Sequence, residues 1–230
     1  MKENTQLSQS ELIKLVGSRL IVGIPAALLI LFLPAGTFAY WEAWLYLAIL
    51  LIPISIVMFY LLKKSPELLA RRMKLKEKEA EQELIIKLSF IPSLLAFILP
   101  GIDKRFGWSN VPVPIIVAAE IFVLSGYILF FLVLKENQFA SRVIEVEKGQ
   151  KVIQSGPYRL VRHPMYMGAL LMYVASPLAL GSYWAIIPAI SIIPIFIARI
   201  ISEERVLTKE LEGYSDYKLK TRYRLIPGIW

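Results

Sequence analysis

Six long apolar runs constrain this chain more than any other feature of it: residues 20 to 40, 43 to 62, 85 to 101, 113 to 134, 165 to 181 and 183 to 201. A helix needs about 20 such residues to cross ~30 Å of hydrocarbon. All six are candidate spans, with the third and the last two at the short end. Lys87 lies near the start of the third, where it can snorkel to the interface. The fifth and sixth are separated only by Gly181 and Ser182, which predicts a tight helical hairpin whose tip need not fully emerge. Pro25, Pro53, Pro92, Pro177, Pro188 and Pro194 lie inside the runs and read as kinks rather than breaks in a bilayer. Thr37-Phe38-Ala39 faintly resembles a cleavage site. The run before it exceeds an h-region of about 7–15 residues, so it reads as retained. The expected fold is an all-α integral membrane protein of about six transmembrane helices. Residues 1–134 form a four-span region and 135–230 a second region ending in a cytoplasmic amphipathic segment, both within one membrane domain.

Composition agrees. Of the 230 residues, 57% are apolar and 19% charged, against roughly 45–50% and about 25% in soluble domains. The net charge is +8, and its distribution argues against nucleic acid as a partner. With the N-terminus placed inside, 23 of the 26 basic residues fall in inside segments, Lys104 and Arg105 fall outside, and Lys87 lies in the membrane. The positive-inside rule then places both termini in the cytoplasm. Tyr40, Trp41, Trp44 and Trp108 form an outer aromatic belt. The segment from Lys63 to Glu83 interleaves basic residues with glutamates and suits an exposed helix. There is no cysteine, and His163 is the single histidine. Thiolate chemistry, Cys-containing metal centres and multi-imidazole sites are thereby excluded. Neither a Walker A motif nor a GxGxxG occurs.

Chemistry concentrates between Asn137 and Trp230. An antiparallel hairpin returns the chain to the face it left, so Arg162-His163-Pro164 and Glu203-Glu204 are brought together across about 40 residues of sequence. Pro164 suits the first turn of a helix and His163 its cap. Glu203 and Glu204 are expected at a helix end, where the macrodipole disfavours negative charge. A compensating cation can come from Arg162, Arg199 or Arg205, or from a ligand ammonium. Tyr158, Tyr166, Tyr214, Tyr217 and Tyr223 add aromatic faces suited to an adenine or a sulfonium. Taken singly, these residues also read as a cap, a solvated flank and interfacial anchors. Glu120, an acid inside the fourth run, is by position a functional-site candidate, but it falls in the outer half, where a structural or protonated role fits.

Gly156-Pro157-Tyr158, then Arg162-His163-Pro164-Met165-Tyr166, the hairpin, Glu203-Glu204, Tyr214, Tyr217 and Arg224-Leu225-Ile226-Pro227 together resemble the isoprenylcysteine carboxyl methyltransferase family. More distantly, they are similar to the phospholipid N-methyltransferases of the same superfamily. The likeness covers the last 95 residues or so, and Leu211-Glu212-Gly213 departs from the family's usual Phe-Gly. It implies S-adenosylmethionine as cofactor, with His163, Tyr166 and Gly168 lining the adenosyl side, Glu203 and Glu204 holding the methionyl end, and Pro164 and Tyr158 also at the cofactor. It also implies a lipophilic, membrane-borne acceptor such as a prenylated cysteine carboxylate. Arg199 or Arg162 then orients that carboxylate through a bidentate fork. An amine acceptor would instead need a base, for which His163 is the single imidazole. Membrane sterol reductases share a related C-terminal half and use a nicotinamide cofactor, so a reductase stays open, as does a non-catalytic membrane role.

Overall fold

The computed structural model describes residues 8–73 and 80–230. Among them the regular structure is entirely helical: α1 (Gln9–Ala35), α2 (Trp41–Lys64), α3 (Pro66–Arg72), α4 (Ala80–Phe106), α5 (Val113–Glu136), α6 (Pro164–Ala179), α7 (Ile186–Ser191), α8 (Ile193–Glu210) and α9 (Tyr214–Lys220), with a 3-10 turn at Gly156–Arg159. A capping box opens α1: the Ser8 hydroxyl accepts the Glu11 N–H at 3.3 Å while the Glu11 carboxylate accepts the Ser8 N–H at 2.8 Å. Gly36, left-handed at φ 66°, ends it.

Five stretches are long and apolar enough to cross a membrane: Gln9–Ala35, Trp41–Lys64, Gln82–Phe106, Val113–Glu136 and Ile186–Glu210. Only 17–28% of the most apolar window of each is buried within the protein. So much outward-facing apolar surface is stable with lipid as the solvent. The expected count of six is corrected at the hairpin. Its first limb, α6, has 16 residues and reaches about 24 Å at 1.5 Å per residue, short of the hydrocarbon thickness. The second limb is split at Ile192, and Pro194 stands in the first turn of α8, where its missing N–H is tolerated. Beyond that point α8 runs on to Glu210. Glu203 and Glu204 therefore lie within a helix rather than at its exit. The charged stretch between Lys63 and Glu83 is likewise not one helix: α2 ends at Lys64, α3 covers Pro66–Arg72, and 74–79 lie outside the described residues.

The α5–α6 crossing is a close one. A Cβ on Gly126 would stand 2.6 Å from the Gly168 carbonyl oxygen, and one on Gly168 would stand 2.8 Å from the Gly126 carbonyl oxygen. Small residues let membrane helices approach this closely. At one end of the bundle the Tyr40 hydroxyl donates to the Leu180 carbonyl at 2.6 Å, Lys104 pairs with Glu42 at 2.9 Å, and the Ser109 and Ser182 hydroxyls both donate to Asp103. These bonds fix the hairpin tip to α2 and α4. Trp41, Trp44, Trp108 and Trp184 are exposed there. The opposite, polar end carries α3, the loop from Asn137 to His163, and α9. Arg71 joins the first two, donating from Nε to Glu147 and from Nη1 to the Gln138 carbonyl. Glu120 is buried in α5, and neither of its oxygens meets a hydrogen-bond partner among the described residues.

Candidate active site at the polar end

His163 caps α6 with Pro164 in its first turn, the arrangement expected from the Pro. The cap holds the loop against the chain's last residues, because the Arg162 N–H donates to the Tyr223 carbonyl at 2.9 Å and the His163 N–H to the Arg224 carbonyl at 2.8 Å. Beneath this two-bond bridge lies a buried ionic knot. Arg162 Nε donates to Glu204 Oε1 at 2.6 Å, His163 Nε2 lies 3.3 Å from the same oxygen, and Arg224 Nε donates to Glu204 Oε2 at 2.9 Å. Arg162 Nη1 donates to the carbonyls of Thr221 and Arg222. The hairpin thus brings the two sequence clusters together. It commits Arg162 and Glu204 to each other and to the tail.

Next to the knot is a polar cleft with a cavity of about 130 Å³, walled by the loop Asn137–Ile153, by the start of α6, and by α8 and α9. Of the residues singled out in the sequence, Tyr158, Arg162, His163, Pro164, Tyr166 and Glu203 line it. Gly168 is not among the lining residues and packs on Gly126 instead. Tyr217 donates to the Tyr158 carbonyl at 2.7 Å, and Asn137 Nδ2 donates to the Tyr158 hydroxyl at 2.8 Å. Burial pushes the Tyr158 and Tyr214 phenols up and Tyr217 up to about 12, so all three are neutral donors. The Tyr214 hydroxyl is buried in the cleft wall and, among the described residues, has no hydrogen-bond partner.

A second cavity of about 300 Å³ adjoins the first and is mostly apolar, walled by residues of α4, α5, α6 and α8. Its polar end holds Arg72, Arg142 and Arg199. Tyr166 lines both spaces. Its hydroxyl accepts from Arg199 Nε at 3.0 Å and donates to Glu203 Oε2 at 2.7 Å, so one phenol joins the arginine of the second cavity to the carboxylate of the first. Arg199, expected from the sequence beside the acids, belongs to this apolar space. Arg72 and Arg142 are missed by the sequence, because nothing local marks a basic residue of α3 or of a loop as facing a cavity.

Residues 114–213 match the phospholipid methyltransferase family. The phospholipid methyltransferase match begins earlier than the resemblance read from the motifs, taking in nearly all of α5. It also stops sooner, before Tyr214 and the closing Arg224-Leu225-Ile226-Pro227. The match covers less than half of the chain and, beside five apolar stretches able to cross a bilayer, is a likeness to membrane methyltransferases. Within the matched span lie most of the polar cleft, including Tyr166 and Glu203, and much of the apolar cavity, Arg199 among it. α1 to α4 lie outside it. No curated protein matches the chain.

Proposed function

We propose that the chain is an S-adenosylmethionine-dependent methyltransferase whose acceptor is carried on a lipophilic tail, with a carboxylate as the favoured acceptor group. The observation that carries this reading is the pair of adjoining spaces, one polar and one apolar, meeting at Tyr166. The polar cleft fits the cofactor. The unpartnered Tyr214 hydroxyl offers a bond to a ribose or adenine, and Glu203 offers an acceptor to the methionyl ammonium. Bound there, S-adenosylmethionine supplies an electrophilic methyl group on a sulfonium. The protein's own part is orientation: Tyr166, held between Arg199 and Glu203, fixes the wall where the two ligands meet, and positioning is the main contribution to a displacement of this kind.

A carboxylate is ionised at neutral pH and needs no base, and the Arg199 fork suits it. N-methylation of an amine phospholipid is the second reading, favoured by the description of the matched family. It requires a proton acceptor, and the single imidazole is buried against Glu204 and lines the polar cleft, not the acceptor cavity. Calorimetric titration of the purified protein separates these readings from a reductase. S-adenosylmethionine is expected to bind and a reduced nicotinamide cofactor not to. Glu203→Gln, which removes a charge-assisted bond, is expected to weaken binding roughly 10- to 150-fold without lowering the melting temperature. Binding of neither cofactor would favour a non-catalytic membrane role.

A further inference from the structure

We infer that Arg72, supplied by α3 from outside the family match, is a specificity-determining residue: with Arg142 and Arg199 it forms an oxyanion site that holds the acceptor while it is a carboxylate and releases it as an ester. This rests on the methyltransferase reading above.

The Arg72 guanidinium donates from Nη1 to the Ser141 carbonyl at 3.2 Å, lies 3.3 Å from the Met165 sulfur, and stands over the Phe130 ring at 5.0 Å. Its partners are neutral, and among the described residues no carboxylate pairs with it. Burial, followed by the charge of Arg142, pulls it down to about 10. The partly buried Arg72 and Arg199 stand at the polar end of an apolar cavity that the exposed Arg142 completes, and a bound anion relieves their mutual repulsion. Arginine also suits a planar carboxylate better than lysine does. The charge balance of the reaction gives the cluster a second task. The O–CH₃ bond forms from a carboxylate lone pair, the S–CH₃ bond breaks with its pair passing to sulfur, and no proton moves. The acceptor loses its negative charge in that step. The attraction that seated it vanishes, while its tail keeps its affinity for lipid.

The test needs no turnover. Full-length protein in non-ionic micelles is titrated with a farnesylated, N-acetylated cysteine and separately with its methyl ester. The wild type is expected to bind the acid about 10-fold or more tightly than the ester. Arg72→Gln is expected to bind the two alike, Arg72→Lys to keep part of the preference, and both to bind S-adenosylmethionine as the wild type does. Equal binding of acid and ester by the wild type, or an undiminished preference in Arg72→Gln, overturns the inference. So does displacement of the acid by phosphatidylethanolamine at lower concentration, which would mark a phosphate site. If Arg72→Gln does not fold, Arg142→Gln at an exposed position takes its place, and an undiminished preference there counts equally against the assignment. A wild type that prefers the acid yet binds no S-adenosylmethionine would sink the methyltransferase reading and leave the anion site standing.

Discussion

Glu204, its side chain only 5% exposed, takes contacts from Arg162, His163 and Arg224, while its neighbour Glu203 faces the polar cleft and bonds Tyr166. On a helix, successive residues point about 100° apart, so two adjacent acids cannot serve one ligand equally. Their roles diverge accordingly. Removing one member of a buried ionic group leaves the others uncompensated, at a cost of about 3–5 kcal/mol. Glu204→Ala is therefore expected to lower the melting temperature sharply and to expose the C-terminal segment to protease. Replacing Glu204 and Arg162 together by leucine and methionine is expected to recover much of that loss. Thermal unfolding in detergent checks both. That the two clusters meet was legible in the sequence, because a hairpin must return. Which acid turns to the protein and which to the cleft was not, since that depends on the rotation of α8 about its axis, and α8 runs past both acids where the sequence suggested its end.

At the scale of elements, the α5–α6 crossing governs where the site stands, because α6 carries His163 and Tyr166 at its first turn. The obstacle to a side chain at Gly168 is a backbone carbonyl at 2.8 Å, which cannot swing aside, so Gly168→Ala is expected to cost at least about 1–3 kcal/mol. It is also expected to weaken cofactor binding by displacing α6 as a unit. Gly17, where a methyl group would meet nothing within 4 Å, serves as the control, and Gly17→Ala is expected to leave binding unchanged and slightly raise stability. Melting curves and titrations of both variants decide the matter. The sequence marked Gly168 as part of a motif but not as a helix contact, since hydropathy carries no record of which two helices touch. The same limit explains the count of spans. Apolar runs reveal where helices are apolar, and the positions where Ile192 and Pro194 divide a run, or where α6 falls short of ~30 Å, depend on cap geometry that composition leaves open.

For the whole molecule, the distribution of charge makes the strongest expectation. The polar end carries α3, the long loop and α9, and the opposite end carries little basic charge beyond Lys104 and Arg105, so by the positive-inside rule the site is expected on the cytoplasmic side. In this cysteine-free chain, single cysteines at Gln9, Gln150 and Lys220 are expected to be shielded from an impermeant thiol reagent in intact cells, and one at Asn110 to react. Labelling of Gln150 and Lys220 from outside would reverse the orientation. The bridge from Arg162 and His163 to Tyr223 and Arg224 has a consequence for the order in which the protein is made. Synthesis proceeds from the N-terminus at about 5–20 residues per second, so the apolar helices leave the ribosome first and Glu204 waits about 1–4 seconds for Arg224, its latest-made partner. Throughout that interval the nascent chain is a membrane bundle without a finished cleft, and the cleft closes only when the tail folds back over a scaffold already seated in lipid.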